Sequence, residues 1–248
     1  MARAALQRRL TWRTATVREN RPETPRVHRL VLDVPDWPGH LPGQHVDVRL
    51  TAEDGYSAQR SYSIASAWPG RVELTVQRIA DGEVSSYLTD VVEPGQQLEL
   101  RGPVGGWFVW RATHTAPVLL VAGGSGVVPL MAMIRARAAA HGRQPFRLIY
   151  SVRTPDDVLY AAELRRRARE DAGLDVRIVH TRQAPPDSPV APKRIDVAVL
   201  NSHGWPPDFA PECFVCGPTS FVETAADILV ALGHDPRLIR TERFGGTT

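Results

Sequence analysis

The sequence predicts a chain of the β plus α/β class, in which an all-β half precedes a half that alternates strands with helices. Between Trp12 and Arg111, short segments of alternating apolar and polar residues are separated by turn residues, which is typical of half-buried antiparallel strands. After Thr113, apolar strand-length runs alternate with helix-length segments, as in βαβ units with a parallel sheet. A chain of 248 residues is long enough for two ordinary domains. We place their boundary near residues 111–116.

The first half contains three clear strand segments separated by glycine and proline. The segments lie at 27–34, 45–50 and 71–78. Turns are marked by the pairs Pro38-Gly39, Pro42-Gly43, Pro69-Gly70 and Pro94-Gly95. One helical stretch is predicted at 84–92. Regular short strands of this kind favour an antiparallel barrel or a sandwich.

The second half begins with a strand that is apolar at every position, Val118–Ala122, as expected for a strand covered on both faces. We predict further strands at 146–151, 175–180, 212–215 and 238–241, and helices at 127–141, 155–172 and 219–232. A proline-rich loop at 184–192 separates the third strand from the fourth.

Composition argues against several classes of protein. Hydrophobic residues make up 43% of the chain and charged residues 23%, which argues against a disordered or collagen-like protein. No apolar run approaches the roughly 20 residues that cross a bilayer, and no apolar segment follows the N-terminal charges as in a secretory signal. We therefore expect a cytoplasmic location and no membrane partner.

The two cysteines, Cys213 and Cys216, are too few for a structural zinc site or a thiolate-held iron–sulfur cluster, each of which needs about four ligands. We expect no metal site. The Cys-x-x-Cys spacing leaves a thioredoxin-like redox pair open. On an extended strand, however, the two side chains point to opposite faces, and a disulfide needs convergent Cβ vectors.

Positive charge is concentrated at the N-terminus. The first 30 residues contain eight arginines against two glutamates, while the whole chain has a formal charge of +3. This segment could dock an acidic partner or nucleic acid, or it could be a solvated strand edge and tail. It lacks the interleaved aromatic residues of a nucleic-acid surface, so we expect no nucleic-acid partner.

In the first half, residues that suit ligand chemistry cluster at 60–66, Arg-Ser-Tyr-Ser-Ile-Ala-Ser. On an extended strand, Arg60 and Tyr62 point to one face, and Ser61 and Ser63 to the other. A guanidinium can hold phosphate oxygens, a phenol ring offers a stacking surface, and Ser63 could hydrogen-bond the edge of a ring. The same residues also suit an ordinary strand.

A turn into a helix follows at residues 81–88, Asp-Gly-Glu-Val-Ser-Ser-Tyr-Leu. Gly82 allows a sharp backbone turn, and Ser85 or Ser86 is expected to cap the first helical turn. A helix N-terminus with free N–H groups and small hydroxyl side chains also favours phosphate. Both a plain cap and a phosphate site are open here.

A glycine-rich turn, Gly123-Gly124-Ser125-Gly126, joins the apolar strand of the second half to its first helix. Phosphates bind at this place in doubly wound folds. The turn departs from the full G-x-G-x-x-G pattern because Pro129 occupies the last position and opens the helix.

A second short motif, Cys216-Gly217-Pro218, follows the fourth strand of this half. At the carboxyl end of a parallel strand, the Cys216 thiol would face the ligand crevice. Cys213 is better explained as a small buried apolar residue.

These motifs, in this order and with this change of fold, resemble the ferredoxin–NADP reductase superfamily. More narrowly, they resemble the reductase components of bacterial oxygenases without their iron–sulfur domain. The resemblance spans residues 10–246. It rests on the motifs at 60–63, 123–129, 216–218 and 242–244, with further matches at 42–44, 102–105 and 150–153. It implies a Greek-key β-barrel that binds FAD at 10–112 and a doubly wound, NAD(P)-binding α/β domain at 113–248.

The resemblance also implies roles for individual residues. Ser63, Cys216 and Glu242 would be catalytic, with Ser63 near the flavin N5 atom and the other two flanking the nicotinamide. Phe244 would cover the ring face opposite Tyr62. The implied flavin-binding set is Arg60, Ser61, Tyr62, Ser63, Val76, Gln77, Arg78, Gly82, Val84, Ser85, Ser86 and Phe244. The implied nucleotide-binding set is Gly123, Gly124, Ser125, Gly126, Pro129, Arg153, Arg182, Cys216, Gly217 and Pro218.

The nucleotide preference depends on charge. A 2′-phosphate attracts Arg or Lys, whereas a bare ribose prefers an acidic residue. The third strand of the second half is followed by His180-Thr181-Arg182, and no acidic residue stands at that strand end. We therefore predict NADPH over NADH, with Arg182 as the phosphate ligand and Arg153 in support.

Together these inferences predict a flavoenzyme in which NADPH gives a hydride to FAD. The reduced flavin would then pass electrons to an external redox protein such as a ferredoxin or an oxygenase component. A free-flavin or ferric reductase that needs no protein partner is a second hypothesis. A regulatory subunit that binds flavin or nucleotide without turnover is a third, and a thioredoxin-type oxidoreductase is a fourth.

Substitution of Arg182 tests the nucleotide preference. We expect Arg182→Ala to raise the KM for NADPH by about ten-fold or more and to leave the KM for NADH nearly unchanged, because only NADPH carries the 2′-phosphate. Steady-state kinetics with both nucleotides measure this. Equal effects on the two constants would contradict the assignment.

Overall fold

The computed structural model describes residues 10–67 and 71–245. Residues 1–9 of the basic N-terminal segment, the predicted Pro69-Gly70 turn and the last three residues lie outside this range. The first half contains β1 (Trp12–Thr24), β2 (Val27–Asp33), β3 (His45–Thr51), β4 (Ser57–Ser63), β5 (Arg71–Gln77), α1 (Glu83–Asp90) and β6 (Gln97–Val104).

The six strands of this half form one antiparallel sheet in the order β4-β3-β6-β1-β2-β5. Because β6 lies between β3 and β1, neighbours in the sheet are not neighbours in the sequence, as in a Greek key. The two edges of the sheet also meet. Ile64, which follows β4, bridges to Leu74 of β5, and the Ala65 amide donates a hydrogen bond to the Glu73 carbonyl at 2.8 Å. The sheet therefore closes into the predicted barrel.

Alternation along the strands places the apolar residues inside the barrel. Val46 and Val48 of β3 are fully buried in its core. Asp47, between them, points to the opposite face and accepts hydrogen bonds from Ser61 at 2.6 Å and Arg101 at 2.7 Å. The polar residues of the pattern thus link neighbouring strands on the outer surface.

The second half contains the strands β7 (Val118–Gly123), β8 (Phe146–Val152), β9 (Leu174–His180), β10 (Glu212–Pro218) and β11 (Ile239–Phe244), and the helices α2 (Val127–Ala139), α3 (Ala161–Glu170), α4 (Val197–His203) and α5 (Thr219–Ala231). The sheet is parallel, with the order β11-β10-β7-β8-β9. The chain runs outward from β7 to β9 and then returns to the other side of β7. The strand order therefore reverses between β7 and β10, and ligands bind at such a switch point in doubly wound sheets.

The structure differs from the sequence prediction at several elements. The helix predicted at 155–172 is interrupted, because Tyr160 has a left-handed backbone with φ of 56° and α3 begins only after it. The fourth strand of this half reaches Pro218, because residues 216–218 pair with 242–244 of β11. The short α4 was not predicted, although Asp196 caps it by accepting a hydrogen bond from the Val199 amide.

The two cysteines lie in different cores. Cys213 belongs to the apolar cluster on the α5 face of the sheet, and Cys216 to the cluster on the α2 face. Both are buried and carry free thiols. Since their side chains diverge, they do not form the thioredoxin-like pair that the spacing left open.

Arg135 of α2 connects the two domains. Its guanidinium donates hydrogen bonds to the Ala65 carbonyl at 2.9 Å and to the Glu73 carboxylate at 2.7 Å, both in the barrel. It also donates to Glu163 of α3 at 2.6 Å. The Arg135 side chain is only 8% exposed, so both carboxylates compensate a charge that is largely removed from water.

Tyr160 completes this interdomain contact. Its hydroxyl lies 2.5 Å from the Thr75 hydroxyl of β5, and the Arg29 and Arg135 guanidinium groups lie over its ring, at 5.6 and 5.0 Å from the ring centre.

The Glu163 carboxylate is held in its charged form by two arginines. Burial raises its pKa, but hydrogen bonds and charge from Arg135 and Arg167 outweigh this effect and lower the pKa to about 2. Together, the contacts of Arg135 and Tyr160 fix the barrel against α2 and α3.

Among the described residues, no helix is long and apolar enough to cross a membrane.

Removal of the Arg135 side chain tests how much this contact contributes. We expect Arg135→Met to lower the free energy of unfolding by about 2–3 kcal/mol, because the charge-assisted hydrogen bonds of Arg135 are lost, while Glu73 keeps Arg29 at 3.0 Å and Glu163 keeps Arg167 at 2.8 Å. Urea denaturation followed by circular dichroism measures the change. Arg166→Met is the control, since the exposed Arg166–Glu170 pair on α3 should contribute about 0.5 kcal/mol or less. Equal losses of unfolding free energy in the two variants would show that the Arg135 cluster, formed by Arg135 with Ala65, Glu73 and Glu163, adds little stability.

Candidate active site

Two neighbouring cavities lie where the carboxyl ends of the parallel strands face the barrel. The first, here called the barrel cleft, has a volume of about 530 Å³. It is lined by Arg60, Ser61, Tyr62, Ser63, Thr75, Gln77, Ile79, Gly82, Val84, Ser85, Ser125, Val128, Phe244 and Gly245. The second, here called the strand-end cleft, has a volume of about 260 Å³. It is lined by Arg26, Val27, Gln77, Gly123, Gly124, Ser125, Ser151, Val152, Arg153, Asp157, Leu159, Thr181, Pro218, Phe221 and Phe244.

Strand β4 places Arg60 and Tyr62 on one face, as predicted. They stand opposite Val48 and Val46 in the register with β3. Tyr62 packs against the barrel core, and burial raises the pKa of its hydroxyl to about 12. Arg60 is exposed, and within the described residues its guanidinium donates one hydrogen bond, to the Gln59 carbonyl, and forms no ion pair. Its charge is therefore available to an anion.

The N-terminus of α1 lies at the same cleft and has no side-chain cap. Its N-cap residue is Gly82, and no side chain accepts a hydrogen bond from the first turn. The expectation that Ser85 or Ser86 caps this turn is wrong, because both lie inside the helix. Their hydroxyls donate instead to the carbonyls of Gly82 and Ile79. The open N–H groups of the first turn remain available to bind a phosphate.

The three residues expected to be catalytic meet at the domain interface. The Ser63 hydroxyl donates to a Glu242 carboxylate oxygen at 3.4 Å, and Glu242 pairs with Cys216 in the register of β10 with β11. Burial raises the pKa of Glu242 to about 7, although the Ser63 hydrogen bond lowers it. A carboxyl group with this pKa can accept or release a proton at neutral pH.

Cys216 is buried as a neutral thiol. It is 1% exposed, and burial together with the charge of Glu242 raises its pKa well above the ordinary value of a thiol. A nucleophilic cysteine needs a lowered pKa. The geometry therefore favours a packing role beside the reacting groups over covalent chemistry.

Glycines bring the ends of β7 and β10 unusually close together. A Cβ atom on Gly126 would lie 2.1 Å from the Cys216 carbonyl oxygen, and one on Gly217 would lie 2.7 Å from the Phe221 ring. A larger residue would have to displace backbone at position 126 and the Phe221 ring at position 217. A 3₁₀ turn, Gly124–Gly126, leads directly into α2 and has no side-chain cap. Because the Val127 amide already donates to the Gly124 and Ser125 carbonyls, the donors left for a phosphate are those of the turn. Pro129 is buried in the first turn of α2, so its side chain shapes the helix and does not line either cleft.

Phe244 separates the two clefts. Its side chain lines both of them and is 36% exposed. Gln77 and Ser125 also line both clefts. An aromatic ring in this position could shield the contents of one cleft from the other, as the implied covering role of Phe244 requires.

The predicted arginines fall into two groups. Arg153 lines the strand-end cleft, and the Arg182 amide donates to the Arg153 carbonyl at 2.9 Å, so the two exposed residues come together after β8 and β9. Arg78 takes a different position, because its side chain pairs with Asp90 at 2.6 Å.

Several lining residues were not predicted. Thr75 has the same orientation as Gln77 on β5, and the period of two could have shown this. Arg26 lies on the turn between β1 and β2 and carries no motif, so only the packing of the domains reveals it.

Comparison with known proteins agrees with both halves of the site. The family model of the oxidoreductase FAD-binding domain matches residues 15–109. That of the oxidoreductase NAD-binding domain matches residues 120–227. Together the matches cover most of the chain. The chain therefore belongs to the FAD- and NAD-binding oxidoreductases of the ferredoxin–NADP reductase superfamily.

Two named relatives are reductase components of oxygenases. The glycine betaine monooxygenase reductase subunit of Chromohalobacter salexigens is 33% identical over 209 residues, which make up 83% of this chain and 56% of the relative. The ferredoxin reductase component of the 3-ketosteroid-9-alpha-monooxygenase of Mycolicibacterium smegmatis is 33% identical over 232 residues, 90% of this chain and 62% of the relative. The chain thus spans less than two thirds of the length of these relatives.

A solved structure matches the whole arrangement of the two domains. The FAD/NAD-binding domain of the nitric oxide dioxygenase of Vibrio cholerae O1 biovar El Tor has a TM-score of 0.83 and is 26% identical. The match covers 94% of this chain and 99% of that domain. The predicted family and fold class are confirmed by these comparisons, which match one FAD-binding and one NAD-binding domain. NADPH over NADH stays a prediction.

The raised pKa of Glu242 gives a pH dependence of stability in the apoprotein. The pKa in the folded state, about 7, lies above the ordinary value of 4.5. The folded state therefore binds the proton more tightly than the unfolded state, and stability is lost as the pH rises from about 4.5 to about 7. We expect wild type to lose roughly 3 kcal/mol more than Glu242→Gln over this range.

Urea denaturation of the apoprotein at pH 5 and pH 8 measures this difference. Glu170→Gln, which changes an exposed glutamate on α3, is the control and should keep the pH dependence of wild type. If Glu242→Gln also keeps it, Glu242 ionises normally and the electrostatic description of the site is wrong.

Proposed function

We propose that this protein is an NADPH-dependent reductase that transfers electrons through FAD to an external redox protein, a ferredoxin or an oxygenase component. The observation that carries the proposal is the contact of Ser63 with Glu242 at 3.4 Å, at the barrel cleft that Ser63 lines and that suits a flavin. When bound, FAD supplies the capacity to accept a hydride and to release electrons singly.

The barrel cleft suits FAD in charge and shape. Arg60 and the open N-terminus of α1 hold the pyrophosphate, because both present positive charge that is not used within the described residues. Tyr62 stacks on the flavin ring from the barrel side, and Phe244 covers the ring from the other side. The backbone of residues 76–78 follows the edge of the cleft.

Ser63 and Glu242 handle the proton at the reacting edge of the flavin. With FAD bound, the Ser63 hydroxyl would lie at the reacting edge of the flavin, and Glu242, to which it donates a hydrogen bond, would hold or release a proton there. The pKa of about 7 lets Glu242 do either near neutral pH. Cys216 packs beside them and keeps water from the nicotinamide.

The strand-end cleft suits the nicotinamide nucleotide. The glycine-rich turn at 123–126 and the N-terminus of α2 hold its pyrophosphate. Arg182, with Arg153 beside it, binds the 2′-phosphate and so favours NADPH over NADH. We divide the chain into an FAD-binding domain at 10–112 and an NAD(P)-binding domain at 113–248.

The choice of acceptor follows from the named relatives, which are reductase components of oxygenases. The arginines near the N-terminus would attract an acidic partner. The cytoplasmic location stays a prediction.

The visible spectrum of the purified protein tests the proposal first. We expect a flavin spectrum that bleaches under anaerobic conditions on addition of NADPH, and more slowly with NADH. Ser63→Ala should slow the bleaching by about ten-fold or more, because the ring loses its orienting contact. Ser57→Ala, at the other end of β4, should leave the rate unchanged.

The remaining outcomes separate the rival functions. Flavin that neither nucleotide bleaches would favour a regulatory binding subunit. Rapid reduction of free flavin or ferric chelates, with no acceleration by ferredoxin-like proteins, would favour a reductase without a protein partner. A protein that takes up no flavin even after reconstitution would contradict the proposal.

A further inference from the structure

The β1–β2 hairpin of the barrel is anchored on the α/β domain at the strand-end cleft. Val27, at the start of β2, is 5% exposed and belongs to the same apolar cluster as Val152 and Leu159. Before the turn, the Glu23 carboxylate accepts a hydrogen bond from the Tyr160 amide at 2.8 Å. The hairpin is therefore held from both of its strands, and its tip has a defined position relative to the α/β domain.

Arg26 lies at this tip, between the two anchoring residues. Its backbone carbonyl accepts a hydrogen bond from the Arg78 amide at 2.8 Å, which fixes the backbone against β5. Its side chain is exposed, lines the strand-end cleft and, within the described residues, forms no ion pair. An arginine whose backbone is fixed and whose guanidinium forms no ion pair among the described residues is suited to bind an anion in the cleft.

The cleft has an excess of positive charge for such an anion. Arg26 and Arg153 line it, against a single carboxylate, Asp157. That carboxylate is already engaged, because it accepts hydrogen bonds from the Thr154 amide at 3.0 Å and the Thr154 hydroxyl at 2.9 Å. The backbone of the glycine-rich turn, which leads into α2 without a side-chain cap, adds further donors on the α/β side.

We propose that Arg26 binds the pyrophosphate of the nicotinamide nucleotide from the barrel side, opposite the glycine-rich turn. The assignment rests on the proposed function. Arg26 adjoins Val27, whose partner in the β2–β5 register is Gln77, and Gln77 lines both clefts. This places Arg26 toward the barrel cleft, whereas Arg153 and Arg182 lie at the ends of β8 and β9, where the 2′-phosphate is expected. Nucleotide binding then requires both domains, and any change in their orientation would alter affinity.

Binding of NADP⁺ and NAD⁺ to the flavin-loaded protein tests the assignment without turnover. We expect Arg26→Ala to raise the dissociation constants of both nucleotides by a similar factor, about ten-fold, because both carry the pyrophosphate. Arg26→Lys should restore part of the affinity. Isothermal titration calorimetry measures these constants. In kinetics the KM values should rise with little change in kcat, since the contact exists before and during hydride transfer.

Arg21→Ala is the matched control, because Arg21 is an exposed arginine of the same hairpin that pairs with Glu19 and does not line the cleft. It should bind both nucleotides like wild type. Unchanged binding in Arg26→Ala would show that the side chain is merely solvated, and weaker binding of NADP⁺ alone would show that it contacts the 2′-phosphate. Either result overturns the assignment and leaves the proposed function intact. Failure of wild type to bind either nucleotide would overturn both.

Discussion

The arrangement of the active site depends on one buried charge, the guanidinium of Arg135. It donates hydrogen bonds to a carbonyl and a carboxylate of the barrel and to a carboxylate of α3. Its partners therefore come from both domains. A charge removed from water tolerates little displacement from its partners, since each broken contact leaves an uncompensated group. The Arg135 cluster thus resists rotation of one domain against the other more strongly than apolar packing alone would, because apolar contacts are not directional.

The distance between Ser63 and Glu242 is set by that restraint. Ser63 ends a barrel strand and Glu242 lies in the last strand of the α/β sheet, 179 positions away in the sequence. The same contact between domains buries the Glu242 carboxyl and raises its pKa to about 7. The position of the Glu242 carboxyl and its raised pKa therefore both result from the packing of the two domains. A looser interface would hydrate Glu242, return its pKa toward 4.5 and separate it from Ser63.

The switch point of the parallel sheet adds a second restraint of steric origin. The turn after β7 packs so closely on the end of β10 that Gly126 leaves no space for a side chain, and Gly217 of β10 packs equally closely on the Phe221 ring of α5. The space above them opens as the strand-end cleft, with the N-terminus of α2 directed at it. Fold topology supplies the cleft, and the glycines let a ligand come within reach of the backbone. Phe244, from the edge strand β11, then divides this space from the barrel cleft.

The sequence by itself determined the two fold types, the order of the elements and most of the residues around the clefts. Periodicity reports which face of a strand is buried, and the motifs at 60–63, 123–129 and 216–218 mark strand ends whose positions are local properties of the chain. The left-handed break at Tyr160 was not predictable in this way, because it depends on the ring lying between Arg29 and Arg135 and on the contact with Thr75. The hydrogen bond from the Ser85 hydroxyl to the Gly82 carbonyl was likewise not predictable, because it depends on α1 beginning at Glu83.

Only the tertiary structure decided which residues meet across the domain interface. The contact of Ser63 with Glu242, the raised pKa of Glu242 and the presence of Arg26 in the strand-end cleft each require residues far apart in the chain. Hydrophobic periodicity and turn chemistry act over a few residues, and they contain no information about the angle at which two domains pack. That angle is restrained by the buried Arg135 guanidinium, whose partners come from α3, from β5 and from the segment after β4. Its barrel partners meet it only when the two domains pack together.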